Sequence, residues 1–255
     1  MKPRPAASFA AAVFALVPLL LTSPAAQAQS IDRQRERCTT EGLSPDLQIS
    51  ACTAVIRSGT DDDFNLAVSF YNRGGAYSAL GELERAIADY AEALRLRPDY
   101  MQAFYNRGHN YAALGRHDQA IADFTRAVEL RPGEARVFYN RGKSYTALGQ
   151  FERAIADFTR TLQLRPHDPD AYIDRGVASA QLGDYDRAIA DFTASLRQEE
   201  DAFALFSRGT IYLATGEYRR AVDDYDRALQ LDPGFEDAIR NRATAREKLA
   251  EGAGK

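Results

Sequence analysis

Histidine and cysteine, the residues that most often carry metal or nucleophilic chemistry, are scarce in this chain. Its 255 residues include three histidines, His109, His117 and His167, and two cysteines, Cys38 and Cys52. The histidines sit at unrelated positions and none pairs at metal-ligand spacing, so all three are expected on the surface. A Gly-x-x-x-x-Gly-Lys phosphate cradle, a Gly-x-Ser-x-Gly elbow and a His-Glu-x-x-His pair are all missing. Asp61-Asp62-Asp63 lacks the alternating ligands and the glycine of a calcium loop, and reads as a run of solvated acids. Enzyme activity, a bound metal and a cofactor are therefore not expected.

Positive charge is not in excess either. The formal net charge is −4, from 32 basic and 36 acidic residues, and loss of Lys2 and Arg4 with a leader would make it −6. The charges are interspersed, which argues against a nucleic-acid partner. Long apolar runs are confined to Phe9 to Leu21, which is shorter than the ~20 residues of a spanning helix and holds Pro18. Lys2 and Arg4 precede this run and Ala26-Gln27-Ala28 follows it, so residues 1–28 read as a signal peptide. No cysteine follows closely enough to accept a lipid. An exported protein, periplasmic or secreted and without a membrane anchor after cleavage, is the expectation.

Both cysteines lie beyond the cleavage site. An even pair in an exported chain predicts a Cys38–Cys52 disulfide, whose 15-residue loop contributes roughly 3 kcal/mol in the chain-entropy view. The Cys-x-x-Cys spacing of a redox pair is absent.

What the chain does have is repetition. Phe-Tyr-Asn-Arg-Gly stands at 70–74, 104–108 and 138–142, and glycine recurs every 34 residues at Gly74, Gly108, Gly142 and Gly176, then after 33 at Gly209. A period of this length marks stacked supersecondary units. Counting this glycine as the eighth residue gives units at 67–100, 101–134, 135–168, 169–201 and 202–235. Large apolar or aromatic residues at the fourth place and tyrosines at the eleventh, Tyr77, Tyr111, Tyr145 and Tyr212, share one helical face with the glycine. Alanine fills the twentieth place (Ala86, Ala120, Ala154, Ala188, Ala221), and an aromatic fills the twenty-fourth (Tyr90, Phe124, Phe158, Phe192, Tyr225). Small residues facing aromatics across a tight crossing predict two antiparallel helices per unit. Gly81, Gly115, Gly149, Gly183 and Gly216 close the first helix, and Pro98, Pro132, Pro166 and Pro233 close the second.

Phe104, Gly108, Tyr111, Leu114-Gly115, Ala120, Phe124, Ala127 and Pro132 together resemble the tetratricopeptide repeat. The resemblance covers residues 67–235 and implies an all-α fold, a right-handed α-solenoid of stacked antiparallel helix pairs. Residues 236–255 would form a capping helix and tail. Residues 29–66 resemble a degenerate unit in which Cys52 stands where the aromatic belongs, with the disulfide as a staple.

Arg73, Arg107, Arg141, Arg175 and Arg208 at the seventh place, and Asp89, Asp123, Asp157, Asp191 and Asp224 at the twenty-third, predict a ladder of ion pairs between helices. If exposed, each pair is worth about 0–1 kcal/mol. Asn72, Asn106 and Asn140 point away from the packed face. In proteins that this chain resembles, that face lines a concave groove, where an asparagine can hold the backbone of an extended peptide. A helix–helix hydrogen bond and a solvated amide remain the alternatives. Tyr71, Tyr105 and Tyr139 would flank side-chain pockets, and His109, Arg136 and Lys143 make the middle of the groove weakly basic. The implied function is a non-catalytic scaffold of the bacterial envelope that binds a protein or peptide partner; self-assembly through the ends or the convex face is the alternative. In the unit at 169–201 Ser179 replaces the tyrosine, Ser195 replaces an alanine and one residue is missing, which predicts a looser junction near Asp201.

Overall fold

The computed structural model describes residues 24–253. Most of the expected signal peptide lies outside the described residues, and its last stretch, from Pro24, opens the first helix. Among the described residues there are thirteen helices and no strand. Helices α1 (Pro24–Thr39) and α2 (Pro45–Ser58) form an N-terminal pair. Then come α3 (Asp63–Ala79) with α4 (Leu83–Leu96), α5 (Met101–Ala113) with α6 (His117–Leu130), and α7 (Ala135–Ala147) with α8 (Phe151–Leu164). The series continues with α9 (Pro169–Gln181) and α10 (Tyr185–Leu196), then α11 (Ala202–Ala214) and α12 (Tyr218–Leu231), and ends on α13 (Glu236–Ala253). This is an all-α solenoid of stacked helix pairs. No described helix is long and apolar enough to cross a membrane.

The turn inside each of the five pairs carries a glycine with φ between 70° and 83°, a conformation that costs glycine nothing. Four of the second helices stop two residues before a proline, as Leu130 does before Pro132. Between the helices of a pair the eighth-place glycine lies flat on the aromatic ring. A Cβ at Gly142 would stand 2.8 Å from the Phe158 ring, and one at Gly108 would stand 2.9 Å from Phe124. Both rings are fully buried, as is each alanine of the twentieth place. The periodic small residues thus set how closely the helices approach.

The N-terminal pair has no such ring. Its core is Ala51, Val55 and the Cys38–Cys52 disulfide, with both cysteines fully enclosed. The three aspartates that follow are not simply solvated acids. Asp61 has a side chain only 2% exposed and pairs with Arg35 of α1, while Asp62 caps α3 by accepting from the Asn65 amide at 2.8 Å. The sequence hides this because Arg35 is 26 residues away.

The fourth pair differs from the others in its second helix and its core. Its second helix, α10, has 12 residues where the other four have 14. Ser179 and Ser195 are fully buried and their hydroxyls find no partner. An unpartnered buried hydroxyl is costly, so Ser195→Ala should raise stability by about 1 kcal/mol, seen as a higher urea midpoint. Alanine already occupies this place at Ala93, Ala127 and Ala228. An unchanged or lower midpoint would contradict the assignment.

Successive first helices touch one another, α3 with α5, α5 with α7 and so on to α13, whereas the second helices α4, α6, α8, α10 and α12 do not. The array therefore curves with the first helices on the inside.

Candidate functional site

The inner face is held in register by the arginine of each repeat. Arg141 grips Asp157 with two hydrogen bonds, of 2.7 and 2.8 Å, and the other four pairs repeat this geometry. The aspartate side chains are only 4–8% exposed and the arginines 13–19%, so these are enclosed pairs and not an exposed ladder worth about 0–1 kcal/mol each. The aspartate hydrogen bond raises the Arg141 pKa further above its ordinary value. A third arm of Arg141 reaches Thr125 of the preceding pair at 3.1 Å, as Arg73 reaches Thr53 and Arg175 reaches Thr159. At Arg107 the same place holds Ala91, and that tie is missing.

The tyrosines expected in the groove stand beside the core aromatics. Ring centroids are 6.0 Å apart for Tyr105 and Phe124 and 5.9 Å for Tyr139 and Phe158, while Tyr71 lies 5.7 Å from Tyr90 and 4.8 Å from Tyr100. Asn106 Nδ2 donates to the Tyr71 hydroxyl at 3.1 Å, and Asn140 Nδ2 donates to the Tyr105 hydroxyl at 3.2 Å. Asn140 Nδ2 also donates to the Arg136 carbonyl at 2.8 Å. These two asparagines thus join neighbouring first helices, one of the roles that the sequence left open. Their Oδ1 atoms accept nothing from the described residues and remain available. Asn72 makes no such bond among the described residues.

At the next junction a carboxylate replaces the amide, with Asp174 beside the Tyr139 hydroxyl. Burial raises the Asp174 pKa, opposed by the neighbouring Tyr139 hydroxyl and by Lys143. Burial also raises the Tyr139 pKa, and Asp174 adds to it. Burial pushes the Tyr100 phenol up to about 12. These hydroxyls therefore stay protonated near neutral pH.

The expected basic middle is locally offset. Arg136 lies over the Tyr105 ring at 4.7 Å and pairs with Glu134 at 3.6 Å, and Lys143 lies 5.6 Å from the Tyr139 centroid, facing Asp174. His109 is exposed and lines a cavity of about 330 Å³ between α3 and α5, together with Gly75, Ser78, Asn106 and Asn110. His117, expected at the surface, is half-buried and its Nδ1 is enclosed without a partner. Among the described residues no three His, Cys, Asp or Glu side chains gather as metal ligands. Sequence reasoning missed Asn110, although it breaks a tenth place otherwise held by Ala76, Ser144, Ala178 and Ile211.

Family profiles of this architecture match the sequence at residues 74–115, 99–167, 142–205 and 202–235, each described as a tetratricopeptide or TPR repeat. Together they run without a gap from 74 to 235, more than half of the chain. The chain is a tetratricopeptide-repeat protein. Among solved structures it is similar to YrrB, described as a TPR protein with an unusual peptide-binding site, at 26% identity and a TM-score of 0.68. That match covers 76% of this chain and 99% of YrrB. MamA from Desulfovibrio magneticus RS-1 shares the fold at 24% identity and a TM-score of 0.61, over 68% of this chain and 95% of that one. TTC0263, a thermophilic TPR protein in Thermus thermophilus, does so at 22% and 0.51, over 70% and 98%. No curated protein matches the sequence. Tetratricopeptide-repeat proteins are in general non-catalytic scaffolds that bind protein or peptide partners, and the fold of this chain supports that class of function.

Proposed function

We propose that this tetratricopeptide-repeat protein is a non-catalytic scaffold outside the cytoplasm, holding an extended segment of a partner protein along its inner face. The observation that carries this reading is the state of Asn106 and Asn140. Each is fixed by a hydrogen bond to a tyrosine of the neighbouring helix, and each keeps an unengaged Oδ1. A pre-oriented row of acceptors suits the N–H groups of an extended backbone, because little side-chain freedom is lost on binding. The peptide-binding site ascribed to YrrB supports the same reading. The enclosed disulfide and the leader-like start support an exported location, and the bacterial envelope is the compartment proposed.

Alanine at both Asn106 and Asn140 should weaken partner binding at least tenfold while the helical circular dichroism stays unchanged. Phenylalanine at both Tyr71 and Tyr105 removes the same helix–helix hydrogen bonds but keeps the amides. The test is a crosslinking pull-down from the native envelope, followed by titration of the recovered partner. Binding lost in the asparagine variant and kept in the tyrosine variant supports guest contact. Equal binding by all three proteins would make the asparagines purely architectural.

A further inference from the structure

The same cavity recurs at two distant junctions of the inner face with opposite chemistry. Between α3 and α5 it is formed by places nine, twelve and thirteen of one unit and six, nine and ten of the next: Gly75, Ser78, Ala79, Asn106, His109 and Asn110. Between α9 and α11 the same places are Val177, Ala180, Gln181, Ser207, Thr210 and Ile211, around a cavity of about 290 Å³. The first carries the polar side chains of Ser78, Asn106, His109 and Asn110, and the second is walled by Phe203 and Phe206 as well.

Each cavity contains a group that its own chain leaves unserved. Asn110 is 1% exposed; its Oδ1 accepts from Ser78 Oγ at 2.9 Å, but its Nδ2 has no partner. A buried amide donor without an acceptor is destabilising, and an incoming oxygen would relieve it. Gly75 leaves the way in open, since even a Cβ there would come no nearer than 3.8 Å to the Tyr90 hydroxyl. At the other junction Phe203 is 48% exposed beside the apolar cavity, although it stands on the inner face.

We propose that these are two specificity pockets for one extended guest peptide, the first for a side chain bearing a carboxylate or carboxamide oxygen, the second for a bulky apolar side chain. This rests on the groove reading above and adds the identity and spacing of the guest residues. His109 beside the first pocket favours a carboxylate there. The two junctions are three units apart. At about 10 Å between neighbouring helices this is roughly 30 Å, which an extended strand covers in roughly eight to ten residues.

The test is selection of a random sixteen-residue peptide library on the purified protein and on three variants. Gly75→Val fills the polar cavity, Asn110→Leu removes its donor, and Phe203→Ala removes the exposed aromatic. All three should fold, checked by circular dichroism and melting, because the first two add apolar bulk beside a cavity and the third trims an exposed ring. Wild type should enrich peptides carrying Asp, Glu, Asn or Gln about eight to ten positions from Leu, Ile, Met or an aromatic. Gly75→Val and Asn110→Leu should lose the polar preference alone, and Phe203→Ala the apolar one alone, each with a tenfold or larger drop in affinity for a wild-type-selected peptide. Enriched peptides without this pair, or variants with unaltered preferences, overturn the pocket assignment and leave the groove reading standing. No enrichment at all overturns both. Light scattering on the same samples covers the remaining occupant: a concentration-dependent dimer lost in Phe203→Ala would place a second copy in the groove and overturn the peptide proposal.

Discussion

Asp157→Ala is expected to lower the unfolding free energy by roughly 3–5 kcal/mol, the range for breaking an enclosed ion pair by removing one partner. Arg141 would keep its bond to Thr125 but lose both bonds to the carboxylate, and its side chain is only 15% exposed, so water replaces them poorly. Asp157→Asn preserves shape while dropping the charge and should fall between alanine and wild type. Leucine at both Arg141 and Asp157 should cost less than the single alanine, because no uncompensated charge is left behind. Arg126 and Glu129 provide the contrast. They pair on the surface of α6 with both side chains more than half exposed, and Glu129→Ala should change stability by less than about 1 kcal/mol. Urea unfolding of the four variants and wild type, with hydrogen exchange on α7 and α8, makes the comparison. A loss at Asp157 no greater than at Glu129 would refute the view that the repeated pairs act as enclosed anchors.

Alanine at both Cys38 and Cys52 should remove about 3 kcal/mol from the N-terminal pair, the value for a closed loop of this size. The loss falls on a small core: apart from the two cysteines, only Ala51 and Val55 among the described residues are enclosed in it. In a stacked array each pair leans mainly on its neighbours, so the damage should stay local. Exchange protection in α1 and α2 should collapse, α3 should weaken through the loss of the Arg73–Thr53 contact, and α7 to α12 should be unaffected. Protection lost evenly along the chain would contradict this nearest-neighbour picture, and unchanged protection in α1 and α2 would show that the bridge is not their staple.

Much of the fold was legible because it repeats. The eighth-place glycine and the twenty-fourth-place ring recur in phase, and their contact lies within one unit. The disulfide was legible for another reason, since two cysteines allow a single pairing. What stayed hidden depends on how neighbouring units sit against each other. The sequence placed Asn106 on the outward side of its helix but could not show that Tyr71, 35 residues earlier, presents its hydroxyl there. Whether Arg141 and Asp157 are exposed or enclosed is likewise decided by the preceding helix pair. Asn110 was overlooked because a single departure in the tenth place carries no periodic signal, and its significance comes from a missing hydrogen bond that only packing shows.

The first helices touch along the inside of the arc while the second helices stand apart on the outside, and this gives the molecule an unequal response to bending. Straightening the arc must part the inner row and strain the tyrosine–asparagine links, whereas the outer row is joined only by side-chain bridges such as Arg116 to Glu84. The inner row behaves as a tension band and the outer row as loose vertebrae. A few degrees gained or lost at each junction add along the array, so its two ends, the stapled cap and α13, swing through the largest displacement. A segment lying across several inner helices would act as a brace on that band, and its arrival would be felt at ends that it never touches.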